Sequence, residues 1–355
     1  MKTLEEARSE IDQIDRQLAV LFEERMKLVK DVALYKVANQ MAVFDAKREQ
    51  QVIEKNCQLI QQEEYKPYFA TFLQAFMDVS KQYQKTIVEL PVIGYQGTEG
   101  AFSHLAATRL FPDHTTNTYA TFEDVFKAVE SGEVRYGVIP FENSYTGEVG
   151  EVLDLLKQYQ VYITDMYDLK VDQHLLGIKG AAVSQLKQVY SHHQAISQCK
   201  TFLKGHAFEL IPYPNTALAA KYIAQQQDPT KAAIASKETA ALYGLDVLVE
   251  EINTSADNTT RFIVLSKQLK TQGNQFSLLF TVKHDAGQLA KVMQVIASRG
   301  YNMQSIRSRS LHKEPWKYYF YVAMDGSLQD SKTQELLAQI GIHCEEYKVL
   351  GSYQK

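Results

Sequence analysis

The chain has 355 residues, a net charge of −4, 45% apolar residues and 23% charged residues. This composition is typical of a soluble globular protein of two or three domains, and it argues against nucleic acid or an anionic membrane as the partner. No apolar run approaches the ~18 residues of a membrane span, and the opening MKTLEEARSE lacks the order of a secretory signal. Three widely spaced cysteines (Cys57, Cys199, Cys344) indicate neither a disulfide framework nor a zinc site, so we expect a cytoplasmic protein.

The first 88 residues contain no glycine and one proline, Pro67. Because glycine and proline are the residues least compatible with a helix interior, their scarcity predicts an all-helical domain over residues 1–88. We expect interruptions near Asn39–Phe44 and Gln62–Pro67. Asp45 would then cap the second helix, and Pro67 would lie in the first turn of the third.

One long amphipathic helix is predicted around Ser9–Lys36. Its heptad a and d positions are Leu4, Ile11, Leu18, Arg25 and Val32, and Ala7, Ile14, Leu21, Leu28 and Tyr35. Arg25 is the charged residue in this seam. Taken alone, it is explained as a snorkelling side chain or as a residue that sets the register of helix pairing.

Other polar residues share faces with Arg25 on the predicted helices. Lys36 lies eleven residues on, ~1100° of helical rotation and hence within ~20° of the same face. The remaining members, spaced three or four apart on the second and third helices, are Asp45, Arg48, Glu49, Ser80 and Gln84. Buried cations need an anionic partner, and the acidic side chains are too few, so a small polyanionic ligand is expected.

Arg8 lies seventeen residues before Arg25, which is ~25 Å along the helix and ~100° around it. The two cannot touch one small molecule from the same helix. Arg8 is therefore either a surface arginine or a residue that reaches the site of a neighbouring chain.

This set resembles the active site of the all-helical chorismate mutases, in residue type and spacing: Arg8, Arg25, Lys36, Asp45, Arg48, Glu49, Ser80 and Gln84. That family forms a domain-swapped dimer whose long first helix contributes one arginine across the interface. The resemblance therefore implies a homodimer in which Arg8 serves the partner's site.

The resemblance also implies a role for each residue. Arg25 and Arg8 would bind the substrate carboxylates, and Lys36 and Gln84 would donate to the ether oxygen. The ring hydroxyl would be held by Asp45 and Glu49, and Arg48 and Ser80 would complete the polar wall. Rearranging chorismate to prephenate needs no nucleophile and no proton transfer, only a compact conformer and donors at the oxygen where charge grows.

From residue 91 to 267, short β-branched runs alternate with helical patterns and glycine loops, which is typical of α/β architecture. Polar groups follow strands or open helices here, where α/β folds bind ligands. The stretches are GYQGTEGAFSHLAA (94–107), IPFENSYTGEVG (139–150), YSHHQA (190–195), YPNTALAA (213–220) and NTTRFIVLS (258–266). Alone, the glycine loop would also suit a structural turn, and Asn215 with Thr216 a helix cap.

In this order, the motifs resemble prephenate dehydratase, with Phe141 and His193 where that family usually has isoleucine and proline. The resemblance implies two α/β subdomains with the active site in the cleft between them. The implied substrate-binding residues are Ser103, Glu142, Asn143, Ser191, His192, Gln194, Asn215, Thr216 and Arg261. Thr260 would assist loss of the ring hydroxyl, and His192 is a rival proton donor because its ordinary pKa range suits the task better.

Residues 276–355 are predicted to run strand, helix, strand, strand, helix, strand, which is the order of a ferredoxin-like α+β unit. They resemble an ACT domain, a regulatory module that binds amino acids. The implied phenylalanine-binding residues are Asp285, Ala286, Gly287, Gln288, Leu289, Arg307, Ser308 and Arg309. The family often has Glu-Ser-Arg-Pro at 307–310, and a dimerisation domain that binds nothing is the alternative.

The three segments together resemble the bifunctional bacterial P-protein family. This implies chorismate and prephenate as substrates, phenylalanine as an allosteric inhibitor, a homodimer or tetramer, and no metal or organic cofactor. The alternative is a protein that senses an aromatic acid or amino acid through an α/β clamshell and an ACT module, with one or both activities lost. The eight-residue mutase set and the absence of a signal sequence argue against this alternative.

Overall fold

The structure is a computed structural model, and it describes residues 2–38, 46–88, 92–112, 114–311 and 317–354. The chain divides into two compact units, Met1–Leu90 and Pro91–Lys355.

The first unit is helical, as predicted. It contains α1 (Leu4–Ala38), α2 (Ala46–Cys57) and α3 (Lys66–Val88), with a single 3₁₀ turn at Glu63–Tyr65. The predicted interruption at Gln62–Pro67 is confirmed, and Pro67 lies in the first turn of α3, where its missing N–H costs no helical hydrogen bond. The interruption at Asn39–Phe44 and the predicted cap Asp45 lie outside the described residues.

Helix α1 packs on α3 through a stripe adjacent to the predicted seam. The rings of Phe22 and Phe76 stack with centroids 5.4 Å apart, and Val29 and Ala33 are buried. The predicted seam is exposed within the chain, at Leu4, Ile11, Ile14, Leu18, Leu21, Leu28, Val32 and Tyr35. Helix α1 therefore carries apolar side chains on two faces, and α3 covers the face next to the predicted seam.

The second unit contains fifteen strands and nine helices among its described residues. In chain order they are β1 (Ile93–Gln96), α4 (Phe102–Leu110), β2 (Thr116–Tyr119), α5 (Phe122–Ser131), β3 (Tyr136–Asn143), β4 (Gly147–Glu148), α6 (Gly150–Gln158), β5 (Tyr162–Lys170), β6 (His174–Gly177), β7 (Gln188–Ser191), α7 (His193–Gln198), α8 (Lys200–Leu203), β8 (Glu209–Pro212), α9 (Thr216–Gln226), β9 (Lys231–Ala235), α10 (Lys237–Tyr243), β10 (Asp246–Val249), β11 (Thr259–Ser266), β12 (Gln275–Thr281), α11 (Gln288–Ser298), β13 (Met303–Ser310), β14 (Tyr318–Asp325), α12 (Ser331–His343) and β15 (Glu346–Tyr353).

Two sheets form the predicted α/β architecture. The first has the strand order β2-β1-β3-β11-β5, with β4 paired to β3, and the second has the order β10-β6-β9-β7-β8. The strands β1, β2 and β3 are parallel, whereas β11 runs antiparallel to both of its neighbours. The chain leaves the first sheet after β5 and returns at β11, so two crossings join the two subdomains.

Local sequence explains where the helices of these sheets begin and end. Helix α5 starts at a capping box, in which the Thr121 hydroxyl accepts from the Asp124 N–H at 3.1 Å and the Asp124 carboxylate accepts from the Thr121 N–H at 3.2 Å. It ends at Gly132, whose φ of +86° lies in the left-handed region that favours glycine.

The third sheet has the order β13-β14-β12-β15 and is antiparallel throughout, with the element order that the sequence predicted. Alternate residues of β12 face opposite sides. Phe276, Leu278 and Phe280 pack in a core with α11 and α12, while Leu279 joins the core of the first sheet. A side chain at Gly351 would meet the Ile163 carbonyl oxygen, since its Cβ would lie 2.1 Å from that atom, so glycine permits β15 to approach β5 closely.

In the parts of the chain that the structure describes, no helix is both long and apolar enough to cross a bilayer. Within the same residues, no group of three or more His, Cys, Asp or Glu side chains is placed to hold a metal ion.

Candidate active sites

Arg25 is the centre of a polar cluster in the helical unit. Its Nη1 donates to the Ser80 hydroxyl at 2.5 Å, and its guanidinium lies 4.3 Å from the centre of the Phe76 ring. Burial lowers the pKa of Arg25, and no carboxylate among the described residues pairs with it. A partly buried cation of this kind favours an anionic ligand.

The remaining contacts link α1 and α2 to α3. The Lys36 ammonium donates to the Gln84 side-chain oxygen at 3.5 Å, and Glu49 pairs with Lys81 at 3.1 Å. Hydrogen bonds to Asp78 and Glu49 raise the pKa of Lys81. Lys81 was missed in the sequence, although its position three residues before Gln84 placed it on a neighbouring face of the same helix.

The structure thus brings Arg25 to Ser80 and Lys36 to Gln84, and it places Glu49 on the α3 side of α2. Arg48 precedes Glu49 and is exposed, and Asp45 lies outside the described residues. Arg8 is exposed, and its seventeen-residue separation from Arg25 on one continuous helix corresponds to ~25 Å.

A cleft of about 450 Å³ lies between the first and second sheets of the α/β unit. Aromatic side chains of Phe102, Phe122 and Phe262 form part of its wall. The predicted residues that line it are Ser103, Asn143, His192, Gln194, Asn215, Thr216 and Thr260. A concave site with aromatic walls and a few convergent polar groups is the usual form of a small-molecule site.

Helix starts from both subdomains converge on this cleft. Ser103 lies in the first turn of α4, and Asn215 caps α9 by accepting from the Leu218 N–H at 2.7 Å. His192 precedes α7, and its Nδ1 accepts from the Gln194 N–H at 3.4 Å. The positive ends of helix dipoles favour an anion here.

Thr260 contacts Asn143 across the β3–β11 pair, with Asn143 Nδ2 donating to the Thr260 hydroxyl oxygen at 2.9 Å. The Asn143 oxygen accepts from the N–H groups of Tyr145 and Thr146, at 2.9 and 3.0 Å, and this determines which way the amide points. Burial, and then the neighbouring His193, lowers the pKa of His192, so its ring is mostly neutral near pH 7.

Three predicted substrate residues do not line this cleft. Thr260 and Phe262 face the cleft, so strand alternation turns Arg261 to the other side, where it makes two 2.7 Å hydrogen bonds to Asp168. Glu142 lies on that side too and pairs with Arg307 at 2.6 Å. Ser191 is fully buried and donates to the Ile234 carbonyl at 2.7 Å, so it bonds within the second sheet. Their roles in substrate binding therefore stay predictions, and their places in the structure are outside the wall of this cleft.

Two glutamines in the cleft wall were missed in the sequence. Gln173 and Gln198 are 2% and 7% exposed, and Gln173 donates to Gln198 at 3.3 Å. The available signal was the place of Gln173 directly before β6, at a crossing between subdomains.

The two predicted phenylalanine-sensing stretches have different surroundings. The first stretch lies at the start of α11. Its predicted residues Asp285, Ala286 and Gly287 are exposed, and Gln288 and Leu289 are half-buried. Arg309 pairs with Asp154 at 2.7 Å, and Arg307 pairs with Glu142. Strand alternation turns these two arginines toward the first sheet and leaves Ser308 exposed, and their role in phenylalanine binding stays a prediction.

A helical polar cluster and an α/β cleft in one chain define a protein with two separate sites for small anionic molecules. The family model described as prephenate dehydratase matches residues 93–270, and that described as chorismate mutase type II matches residues 7–85. Bifunctional chorismate mutase/prephenate dehydratases resemble the chain over nearly its whole length. The protein from Aquifex aeolicus is 32% identical, covering 100% of this chain and 99% of that protein, and the one from Buchnera aphidicola is 31% identical, covering 98% and 95%.

Among solved structures, prephenate dehydratase from Arthrobacter aurescens in complex with L-Phe matches with a TM-score of 0.69 and 27% identity. The match covers 74% of this chain and 90% of that chain. The chain belongs to the bifunctional chorismate mutase/prephenate dehydratase family and is an enzyme of phenylalanine biosynthesis with both activities. This finding favours the two-activity interpretation over the sensing protein.

Proposed function

We propose that the helical cluster rearranges chorismate to prephenate and that the α/β cleft converts prephenate to phenylpyruvate. The observation that carries the proposal is that each predicted set is paired within its own unit, Arg25 with Ser80 in one and Thr260 with Asn143 in the other. The domains are then a mutase domain over residues 1–88, a dehydratase domain over 91–267 and an ACT domain over 276–355.

In the mutase site, Arg25 binds one substrate carboxylate and Arg8 of a second copy binds the other. Lys36 and Gln84 donate to the ether oxygen, whose negative charge grows as the C–O bond breaks. Glu49 accepts from the ring hydroxyl, with Asp45, Arg48 and Ser80 completing the wall. The 3.5 Å contact from Lys36 to the Gln84 side-chain oxygen supports this assignment, because it places the two side chains next to each other.

In the cleft, the ring C–O bond and the bond to the ring carboxylate break. The hydroxyl takes up a proton and leaves as water, carbon dioxide departs, and the electron pair of the carboxylate bond completes the aromatic ring. Thr260 hydrogen-bonds the departing hydroxyl, and the helix starts at Ser103 and Thr216 hold the carboxylates. The lowered pKa of His192 supports Thr260 rather than His192 as the group that assists loss of the hydroxyl. Little of the protonated imidazole is present at neutral pH.

Two further parts of the proposal concern assembly and regulation. The exposed apolar stripe of α1 supports a homodimer, or a tetramer built from such dimers, that covers it. The ferredoxin-like element order and the likeness to a dehydratase complexed with L-Phe support an ACT domain at which phenylalanine inhibits the enzyme. Phenylalanine would contact the exposed residues Asp285–Gly287, the half-buried Gln288 and Leu289, and Ser308.

Chorismate and prephenate supplied separately test the proposal. The protein should consume chorismate and release phenylpyruvate, and it should also form phenylpyruvate when given prephenate alone. Accumulation of prephenate without phenylpyruvate would contradict the dehydratase assignment. Formation of phenylpyruvate from prephenate but not from chorismate would contradict the mutase assignment.

A further inference from the structure

Asn258 is a buried polar residue near the dehydratase cleft, and although it opens the stretch NTTRFIVLS (258–266), no role for it was predicted from the sequence. It directly precedes β11 and is 3% exposed. Its backbone carbonyl accepts from the Val171 N–H at 2.8 Å, so it lies where the two chain crossings between the subdomains pair.

The side chain of Asn258 contacts the Asn143 amide. Asn143 Nδ2 donates to Asn258 Oδ1 at 2.9 Å, the same length as its bond to the Thr260 hydroxyl. The Asn258 amide nitrogen donates to the Val171 carbonyl oxygen at 3.4 Å. A carbonyl can only accept, so this contact turns the Asn258 oxygen toward Asn143.

The polarity of this chain of hydrogen bonds determines where the Thr260 proton lies. The Asn143 N–H₂ group donates only, so the Thr260 oxygen is the acceptor in their bond and its own proton must point elsewhere. Thr260 lines the cleft, and within the described residues no side chain or backbone group accepts that proton. The hydroxyl is thus arranged as a donor toward whatever occupies the cleft.

We propose that Asn258 is a positioning residue for the dehydratase, acting through Asn143 to keep the Thr260 hydroxyl a donor. The inference rests on the proposed role of Thr260. The Tyr145 and Thr146 N–H groups hold the Asn143 oxygen, and Asn143 Nδ2 has a competing acceptor in the Thr259 carbonyl at 3.2 Å. Without the acceptor at position 258, the amide nitrogen can shift toward that carbonyl and weaken its hydrogen bond to the Thr260 hydroxyl. The loss should appear in kcat rather than in KM, because the hydroxyl matters most as the C–O bond breaks.

The test compares Asn258→Leu, Thr260→Ala and the double variant, with prephenate as substrate. Leucine is close to asparagine in shape but has no hydrogen-bond acceptor. We expect kcat to fall by about tenfold, the scale seen when a hydrogen bond that orients a metal ligand is removed. In the Thr260→Ala background the same change should have no further effect on kcat. An equal loss of kcat in both backgrounds would overturn the proposal, as would an unchanged kcat in Asn258→Leu.

Asn258→Asp provides a second measurement that survives if the leucine variant fails to fold. Its carboxylate accepts from Asn143, whereas its protonated form can donate instead, so kcat should show a new ionisation and fall at acidic pH. That ionisation should vanish in Asn258→Asp with Thr260→Ala, and a wild-type pH profile in Asn258→Asp would overturn the proposal. Full activity of Thr260→Ala by itself would instead contradict the proposed function. The thermal unfolding transition of each variant, compared with wild type, reports on whether the α/β unit is folded.

Discussion

The helical unit and the α/β unit hold their predicted residues in opposite ways. In the α/β unit, seven predicted residues from two subdomains line one cleft of about 450 Å³. In the helical unit, Arg25 lies against α3, whereas Arg8 is exposed on the same helix, ~25 Å away. One chain therefore brings seven of the predicted dehydratase residues together by itself. In the mutase set, by contrast, Arg8 stays far from Arg25 of the same chain.

The two units also differ in how much apolar surface they leave exposed, and the helical unit leaves more. The strands of the first and third sheets share a core, which covers much of their apolar surface within the chain, although Ile306 of β13 is exposed. Helix α1 instead exposes a stripe that includes Leu21 and Leu28, at 59% and 65% exposure. Burying side chains of this size contributes ~1.5–3 kcal/mol each, so covering the stripe is a strong drive to associate. If the comparison holds, the mutase depends on a second copy and the dehydratase does not.

The largest effect is expected from the two arginines of α1. Arg8→Ala and Arg25→Ala should each reduce mutase activity by about a thousandfold, since removing a charged group from a desolvated site costs several kcal/mol. Arg16→Ala is the matched control, because Arg16 is an exposed arginine of the same helix that belongs to neither set. Mutase and dehydratase rates of the three variants would be measured side by side, and the dehydratase rates should be unchanged.

Mixing the two inactive variants then tests whether the site is shared. After joint unfolding and refolding, random pairing makes about half of the dimers mixed, and each mixed dimer has one intact site and one that lacks both arginines. Mutase activity should recover to about a quarter of wild type. If labelled chains show that mixed dimers formed but activity stays at the parental level, the shared site is refuted.

The next effect concerns the site that one chain completes. Thr260→Ala should lower dehydratase turnover by at least ~100-fold, the scale for a positioned catalytic donor, and leave mutase activity nearly unchanged. Thr259→Ala is the matched control, since strand alternation turns that side chain to the other face. Equal losses of both activities in folded Thr260→Ala would contradict two independent sites.

Most of the fold could be predicted because its signals are local. The glycine-free helical region, the α/β alternation and the βαββαβ order each appear as patterns within a few residues. The seam of α1 shows the limit of such patterns. Helix periodicity identified apolar positions on α1, but which stripe α3 covers depends on the packing partner rather than on α1 itself.

The dehydratase cleft shows the same limit of local sequence patterns, here for the face of a strand on which each side chain lies. Asn143 and Thr260 line the cleft, whereas Glu142 and Arg261 face the opposite side. The pairing of β3 with β11 shifts register between Arg261 and Phe262, so Pro140 and Asn143 both face the cleft although they are three residues apart. A bulge of this kind changes which face a residue occupies, and the sequence carries no simple signal for it.

A smaller effect, confined to the helical unit, is expected at Gln84. The amide can donate to the ether oxygen at any pH, whereas a carboxyl can donate only when protonated. Gln84→Glu should therefore keep mutase activity mainly at acidic pH, with at least a tenfold fall by pH 8, as expected for loss of one donor to developing charge. The neighbouring Lys36 should favour the carboxylate and shift this window to lower pH.

Gln82→Glu provides the matched control for this change. It adds the same charge at an exposed position two residues away on α3. Its mutase pH profile should follow wild type, and the dehydratase profile should be unaffected in both variants. A wild-type mutase profile in Gln84→Glu would remove Gln84 from the ether-oxygen role.

The smallest expected effect concerns how the third sheet communicates with the cleft. Arg307 joins β13 to Glu142, the residue that precedes Asn143 in β3. If phenylalanine inhibits the dehydratase with a coupling of ~1–3 kcal/mol, Arg307→Met should weaken that coupling by ~0.5–2 kcal/mol, because it cuts this contact. Phenylalanine affinity, measured by calorimetry on the free enzyme, should change little, because Arg307 faces the first sheet rather than the exposed loop at 285–287.

Arg299→Met is the matched control for the last prediction. Arg299 pairs with Glu335 at 2.6 Å, which joins the end of α11 to α12 and leaves the contact with the first sheet intact. Inhibition by phenylalanine should then remain as in wild type, and mutase activity should be unaffected in both variants. If Arg307→Met abolishes phenylalanine binding itself, the arginine belongs to the ligand site, and its assignment to the sheet interface is wrong. If calorimetry detects no binding to wild-type enzyme at millimolar phenylalanine, the third sheet has a role in assembly alone.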